Sequence, residues 1–305
     1  MRKWPRGNFL QEITPAFLSN YPLPHHRDGD KHDRGRVLVI GGNIKTPGAA
    51  LLASMSALRA GAGILRIATC EAHAPHLAIA MPEAMVIGCP ATQRGEIHPS
   101  ASSQLIELAT ECDAVLVGPG MIEEDTVAEI ALALLAGTKR TKFVLDAAAF
   151  TCLRAHLEKL NAQDGRLVVT PHAGEMAKFL GESREDVEHT PLGASQKASI
   201  LIGAIVVLKG SITHITSPAG ESWYCQHGCI GLATSGSGDT LGGIIAGLLA
   251  RGMPPALAAL WSVYVHADAG RRLTTKTGSV GFLAREIPAE IPMILEALKD
   301  RRDPQ

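Results

Sequence analysis

Short runs of consecutive apolar residues recur along the chain, spaced widely enough for helices to lie between most of them. Residues 37–40, 64–68, 84–87, 114–117, 143–145, 167–169 and 205–208 each read as a strand buried on both faces. This alternation predicts an α/β fold with a central, mainly parallel sheet and helices on both faces. After Lys209 the pattern changes to two short strand-like pieces, 213–216 and 222–224, around Pro218-Ala219-Gly220, which predicts a hairpin. Helical spacing is clearest in Leu241, Ile244, Ile245, Leu248 and Leu249, with Gly252 and Pro254 as the stop. Leu51, Leu52, Met55 and Leu58 predict a helix after Pro47-Gly48, Pro255 opens another, and a last one falls near 291–299. Residues 1–35, punctuated by Pro5, Pro15, Pro22 and Pro24, read as an irregular N-terminal arm with one short helix at 15–18, and 36–305 as a single domain.

With 46% hydrophobic residues, the 305-residue chain can bury a sizeable core. A formal net charge of -1 gives no general attraction to nucleic acid or an anionic membrane, so any anionic ligand must be held locally. No apolar run reaches the ~18 residues of a membrane span. Six scattered cysteines and no secretory signal point to reduced thiols and a cytoplasmic protein. Cys225-Gln226-His227-Gly228-Cys229 lacks the second cluster that a structural zinc site needs, and reads as buried thiols in a loop.

The polar signals cluster where the strands end, which is where open parallel sheets bind ligands. They are Gly41-Gly42, Gly118-Pro119-Gly120, Asp146, the run from Thr170 to Glu175, and Lys209-Gly210. Each alone also fits a turn, a cap or a solvated strand end. His172 and Glu175, three apart, could face one ligand or merely cap a helix. The strongest stretch is Thr234-Ser235-Gly236-Ser237-Gly238-Asp239 at the start of the 241–249 helix. Glycines at 236 and 238 let backbone N–H groups converge on a phosphate at the positive end of the helix dipole. Asp239 would repel that phosphate, so it reads either as a base for a nearby hydroxyl or as an N-cap. Neither Gly-x-Gly-x-x-Gly nor Gly-x-x-x-x-Gly-Lys-Ser/Thr occurs at the expected places.

Thr234 to Asp239 resembles the anion-hole and base motif of the ribokinase-like superfamily, and Thr170-Pro171-His172-Ala173-Gly174-Glu175 its Asn-x-x-Glu element with His for Asn. Lys31 to Gly42, Gly48-Ala49-Ala50, Arg59 to Gly63, Gly118 to Gly120, Leu208 to Gly210 and Ala233-Thr234 are similar, in order, to the ADP-dependent NAD(P)H-hydrate dehydratase family. The likeness runs from about residue 13 to 298. It implies a ribokinase-like fold and a lyase of nicotinamide nucleotide repair: the (6S) hydrate of NADH or NADPH is phosphorylated from ADP (or ATP), and loss of phosphate regenerates NAD(P)H. It further implies that Lys209, Gly210, Ser211, Ile212, Thr213 and Gly238, beside Gly236, contact the nucleotide. Ala49, Gly120, His172 and Asp239 would contact the hydrate, with Asp239 as base. Mg²⁺, with Glu175 as a candidate ligand, and a homotetramer are implied as well. Two segments depart from the family pattern, Ala148 where an Asp is usual and Cys229-Ile230 where Asn-Pro is usual. A small-molecule kinase of the hydroxyethylthiazole or pyridoxal type, or a non-catalytic nucleotide-binding relative, would share the anion hole.

Overall fold

The computed structural model describes residues 10–24, 30–161, 163 and 165–299. Ten strands form one sheet: β1 (Leu10–Glu12), β2 (Arg36–Ile40), β3 (Ile64–Cys70), β4 (Ala84–Cys89), β5 (Ala114–Val117), β6 (Lys142–Leu145), β7 (Leu167–Val169), β8 (Ile205–Leu208), β9 (Thr213–Thr216) and β10 (Ser222–Cys225). Their order is β1-β10-β9-β8-β7-β6-β5-β2-β3-β4. From β8 through β4 all pairs are parallel, while the β9–β10 hairpin adds the antiparallel margin that the change of pattern after Lys209 foretells. Helices cover both faces over two apolar clusters, because strands such as Val37–Ile40 and Ile205–Leu208 are buried along both.

The arm expected to be irregular differs from that reading over residues 10–24. Leu10–Glu12 pairs in parallel with β10, covering what would otherwise be an open edge. The short helix forms at Pro15–Ser19, Ile13, Leu18 and Leu23 are buried, and Trp261 Nε1 donates to Tyr21 O at 2.8 Å. The remaining residues of the arm, 1–9 and 25–29, lie outside the described residues.

The packing that positions the site is between the helices Pro47–Arg59 and Ser237–Ala250. The leucines and Met55 that mark the first helix in the sequence are only partly buried; its buried face is Ala50, Ala53, Ser54, Ser56 and Ala57. The reason is close approach. A Cβ on Gly243 would lie 2.1 Å from Ala53 O, and one on Gly247 2.5 Å from Ala57 O, so only glycine lets the backbones meet. This contact brings the start of one helix, with Ala49, to within a turn of the other: a Cβ on Gly236 would sit 2.5 Å from Leu52 Cδ1. Nearly every residue of Ser237–Ala250 is buried, so the helix is a rigid central rod whose first turn opens at the carboxyl ends of the strands.

Candidate active site

The small-residue turn and the helix it feeds form as read, with the helix starting at Ser237 and Gly236 as its N-cap at φ 88°. Asp239 is therefore the third residue of the helix and not its cap. Ser237 N–H donates back to Thr234 O at 3.2 Å, and Thr240 N–H to Gly236 O at 3.1 Å. Between them, the N–H groups of Gly238 and Asp239 belong to the first turn, where a helix leaves donors for an outside acceptor.

Opposite this turn stands Lys209, at the end of β8. Its Nζ lies 3.0 Å from Asp146 Oδ1 and 4.0 Å from Glu175 Oε2, and a Cβ on Gly238 would come within 3.2 Å of it. Asp146, only 3% exposed, also accepts from Thr170 Oγ1 at 2.7 Å. It is thus an ion-pair partner rather than the cap of the next helix. Burial depresses the Lys209 ammonium, but the carboxylates of Asp146, Glu175 and Asp239 outweigh that and raise its pKa overall. For Asp239 burial is the larger cause, joined by the negative Asp146 and Glu175 and opposed by Lys209, and its carboxyl is pushed up to about 7. That value suits a group that must both take up and release a proton near neutrality.

His172 and Glu175 do cap a helix. His172 Nδ1 accepts from Gly174 N–H at 3.0 Å and Glu175 N–H at 3.2 Å, while Glu175 Oε2 accepts from His172 N–H at 2.8 Å. This reciprocal box opens Ala173–Leu180 and holds the His172 ring at the mouth of the site, its side chain 58% exposed.

Gly120 and Ala49 meet at the far side. A Cβ on Gly120 would lie 2.8 Å from the Ala49 Cβ, and Thr46 Oγ1 and Asn43 N–H both donate to Gly120 O. Glu96 ties this corner together, a residue to which no periodicity in the sequence points. It is fully buried, and its Oε2 accepts from Ile122 N–H at 2.8 Å, Glu123 N–H at 3.2 Å and Asn43 Nδ2 at 3.3 Å. Next to Asp146, Ala147 adopts φ 51°, the one non-glycine residue at positive φ among the described residues, a strain of about 1–3 kcal/mol of the kind that collects at functional sites.

Two cavities share the Lys209-Gly210-Ser211 turn and His172. One, of about 720 Å³, lies over Ser237 and Gly238 and is walled by Thr213, Ile230, Leu232 and His266. The other, of about 700 Å³, lies behind the turn against Arg184, Pro191 and His214, and Ile212 lines this second one and not the first. Cys229 and Ile230 line the first cavity, while Ala148 is buried. The Cys225–Cys229 segment gathers no metal cluster among the described residues; its His227 instead meets Asp268 at 3.0 Å and stacks on Tyr264. The six cysteines are unpaired, and no described helix is long and apolar enough to cross a membrane.

A doubly covered, mainly parallel sheet with a glycine-bordered anion turn and an acid in its first helical turn defines the ribokinase-like class. Within it, the chain belongs to the NAD(P)H-hydrate dehydratase family, whose model matches residues 37–293. It is 44% identical over 293 residues to an ADP-dependent (S)-NAD(P)H-hydrate dehydratase of Xanthomonas campestris, covering 96% of this chain and 98% of that one. Among solved structures, a ribokinase-like superfamily protein of Enterococcus faecalis superposes with a TM-score of 0.81 at 27% identity, over 98% of this chain and 99% of the other. An ADP/ATP-dependent NAD(P)H-hydrate dehydratase of Bacillus subtilis, co-crystallised with ATP/Mg²⁺, gives 0.80 at 25% identity, over 95% and 99%.

Proposed function

We propose that this protein restores hydrated NADH or NADPH to the native cofactor at the expense of ADP, releasing AMP and phosphate. The observation that carries the reading is the placement of Asp239, a carboxyl balanced near pH 7, in the same helical turn whose N–H groups face out to bind a phosphoryl group. Asp239 takes the proton of the hydrate's ring hydroxyl as that oxygen bonds to the terminal phosphorus of ADP and the bond to AMP breaks. The N–H groups of Gly238 and Asp239 hold the charge that develops on the transferred group. The new phosphate ester is a good leaving group. Phosphate departs with its bonding pair, a proton leaves the adjacent ring carbon, and the double bond of NAD(P)H returns.

In this reading Lys209, Gly210, Ser211 and Thr213 bind the nucleotide in the first cavity and Gly236 and Gly238 its phosphates, with Ile212 contributing backbone. Ala49, Gly120, His172 and Asp239 bind the hydrate. A divalent cation fits the charge balance, since the carboxylates of Asp146, Glu175 and Asp239 surround one ammonium. Among the described residues no three His, Cys, Asp or Glu side chains are arranged to hold a metal ion by themselves, which suits Mg²⁺ carried in on nucleotide phosphates and held by Glu175. Bound there, it would neutralise charge on the phosphates. The buried Asp146–Lys209 pair and the intact turn favour an enzyme over a non-catalytic relative.

The test is incubation of the purified protein with NADH hydrate, Mg²⁺ and ADP, following the absorbance of NADH. Recovery of NADH with equal release of AMP and phosphate is expected. Recovery without any added nucleotide, or tight nucleotide binding without turnover, would overturn the reading.

A further inference from the structure

His266 lies within the helix Pro255–Thr277 and forms part of the wall of the 720 Å³ cavity. The Nε2 atom stands 3.1 Å from Ser237 O and 3.1 Å from Ser237 Oγ. A carbonyl oxygen only accepts, so Nε2 carries the hydrogen. Burial and, less strongly, the nearby Lys209 charge hold the imidazole pKa down to about 4 against the pull of the Ser237 bond. The ring is therefore neutral at physiological pH and has a single N–H, which leaves Nδ1 as a bare acceptor. Among the described residues that nitrogen has no hydrogen-bond partner, and unlike Nδ1 of His214 it is not sealed away from solvent.

The geometry points to His266 as the residue that recognises the ribose of the adenine nucleotide, its Nδ1 accepting a hydrogen bond from a sugar hydroxyl. This assignment rests on the nucleotide reading of the cavity. Three features select the sugar. A phosphate oxygen is itself an acceptor, so it finds nothing at Nδ1. The ring is bonded to Ser237, the residue before the N–H groups of Gly238 and Asp239, so Nδ1, one ring width from that anchor, lies close to the turn that would hold the phosphates. The other donor on the ligand, the amino group of adenine, is farther from the phosphates than the sugar is, and Ile230, Leu232 and Val263 give the cavity an apolar wall that suits the base.

Calorimetric dissociation constants for ADP, 2′-deoxy-ADP and 3′-deoxy-ADP, with Mg²⁺, test this on the parent, His266→Gln and His266→Asn. The Gln amide reaches the position of Nε2 and keeps the donor to Ser237 while removing the acceptor; Asn does the reverse. The parent should prefer ADP over one deoxy analogue by about 3- to 10-fold, the worth of one neutral hydrogen bond. His266→Gln should bind both alike, and His266→Asn should keep the preference. The Asn variant and the parent's own discrimination remain readable if the Gln variant fails to fold. Equal binding of all three nucleotides by the parent, or undiminished preference in His266→Gln, would overturn the assignment alone. Absence of any nucleotide binding by the parent would overturn the cavity's nucleotide reading along with it.

Discussion

Lys209 Nζ and Asp146 Oδ1 meet at 3.0 Å between the ends of β8 and β6, directly under the first turn of the helix Ser237–Ala250. The acid is almost wholly buried, and the lysine side chain is 20% exposed. One cation thus serves two purposes. Below, it neutralises a carboxylate that water cannot reach; above, it presents positive charge to whatever anion the helix start holds.

Removing that cation should therefore cost both stability and affinity. Lys209→Ala strands Asp146 with only the Thr170 hydroxyl, and breaking a buried pair costs about 3 kcal/mol. ADP affinity should fall by roughly 10- to 100-fold, the loss of a charge-assisted contact. The double variant Lys209→Met/Asp146→Asn should regain most of the melting temperature and none of the affinity. Melting curves with calorimetry separate the two effects, and a Lys209→Ala protein that melts and binds ADP like the parent would take Lys209 out of both roles.

The two glycines of the anion turn should respond differently to the same added methyl group. At Gly236 a Cβ meets Leu52 Cδ1 at 2.5 Å and Ala284 Cβ at 3.1 Å, on a backbone at φ 88°, so Gly236→Ala should destabilise by about 1–3 kcal/mol. Gly238 has no strained φ, and the nearest atom to its Cβ is the end of the flexible Lys209 side chain at 3.2 Å. Gly238→Ala should melt close to the parent yet bind ADP at least several-fold more weakly, because the methyl group covers the outward N–H groups. Equal effects on melting and binding at both positions would contradict this division.

The sheet strands, the hairpin and the central helix were legible because each is a run with one period, fixed by burial of its own side chains. What escaped the sequence depends on pairs of distant residues. β1 is three residues, Leu-Gln-Glu, with no apolar pattern, and exists because β10, some 210 positions away, offers an edge. The buried face of Pro47–Arg59 cannot be read from its leucines, because the glycines opposite it favour alanine and serine over leucine. His266 follows Val263, Tyr264 and Val265 in an apolar run and looks like a core residue until Ser237 is brought to it. Glu96 gives no signal at all, since its partners, two backbone N–H groups and the Asn43 amide, come from other loops. Within the site, the anion turn, Asp146 and Lys209 were readable as polar residues at strand ends, whereas their pairing required the fold.

His172 offers a direct separation of cap from contact. Asn is among the best N-cap residues, so His172→Asn should preserve the capping box with Glu175 and leave the melting temperature within a degree or two of the parent. The imidazole edge that lines both cavities is lost. If it touches the hydrate, KM for the hydrate should rise several-fold while KM for ADP changes less. A variant with both constants unchanged would leave His172 as a cap only.

Asp239 links stability and activity with opposite signs. In the folded protein its carboxyl is raised from an ordinary value of 3.8 to about 7. Between these values the native state holds a proton that the unfolded chain has released, so stability is fully present below pH ~4 and is lost as pH rises through about 7. A base needs that proton gone, and turnover should rise over the same interval as stability falls. Asp239→Asn fixes the site in its neutral form. Its melting temperature should exceed that of the parent at pH 8, with the gap closing towards pH 4, while kcat drops by roughly 10²-fold or more. Capping cannot confuse the comparison, because Gly236 and not Asp239 caps the helix. A variant that melts below the parent at pH 8 and turns over within about threefold of it, a barrier change of only ~0.7 kcal/mol, would make Asp239 a charge at a helix end and remove the base from the mechanism.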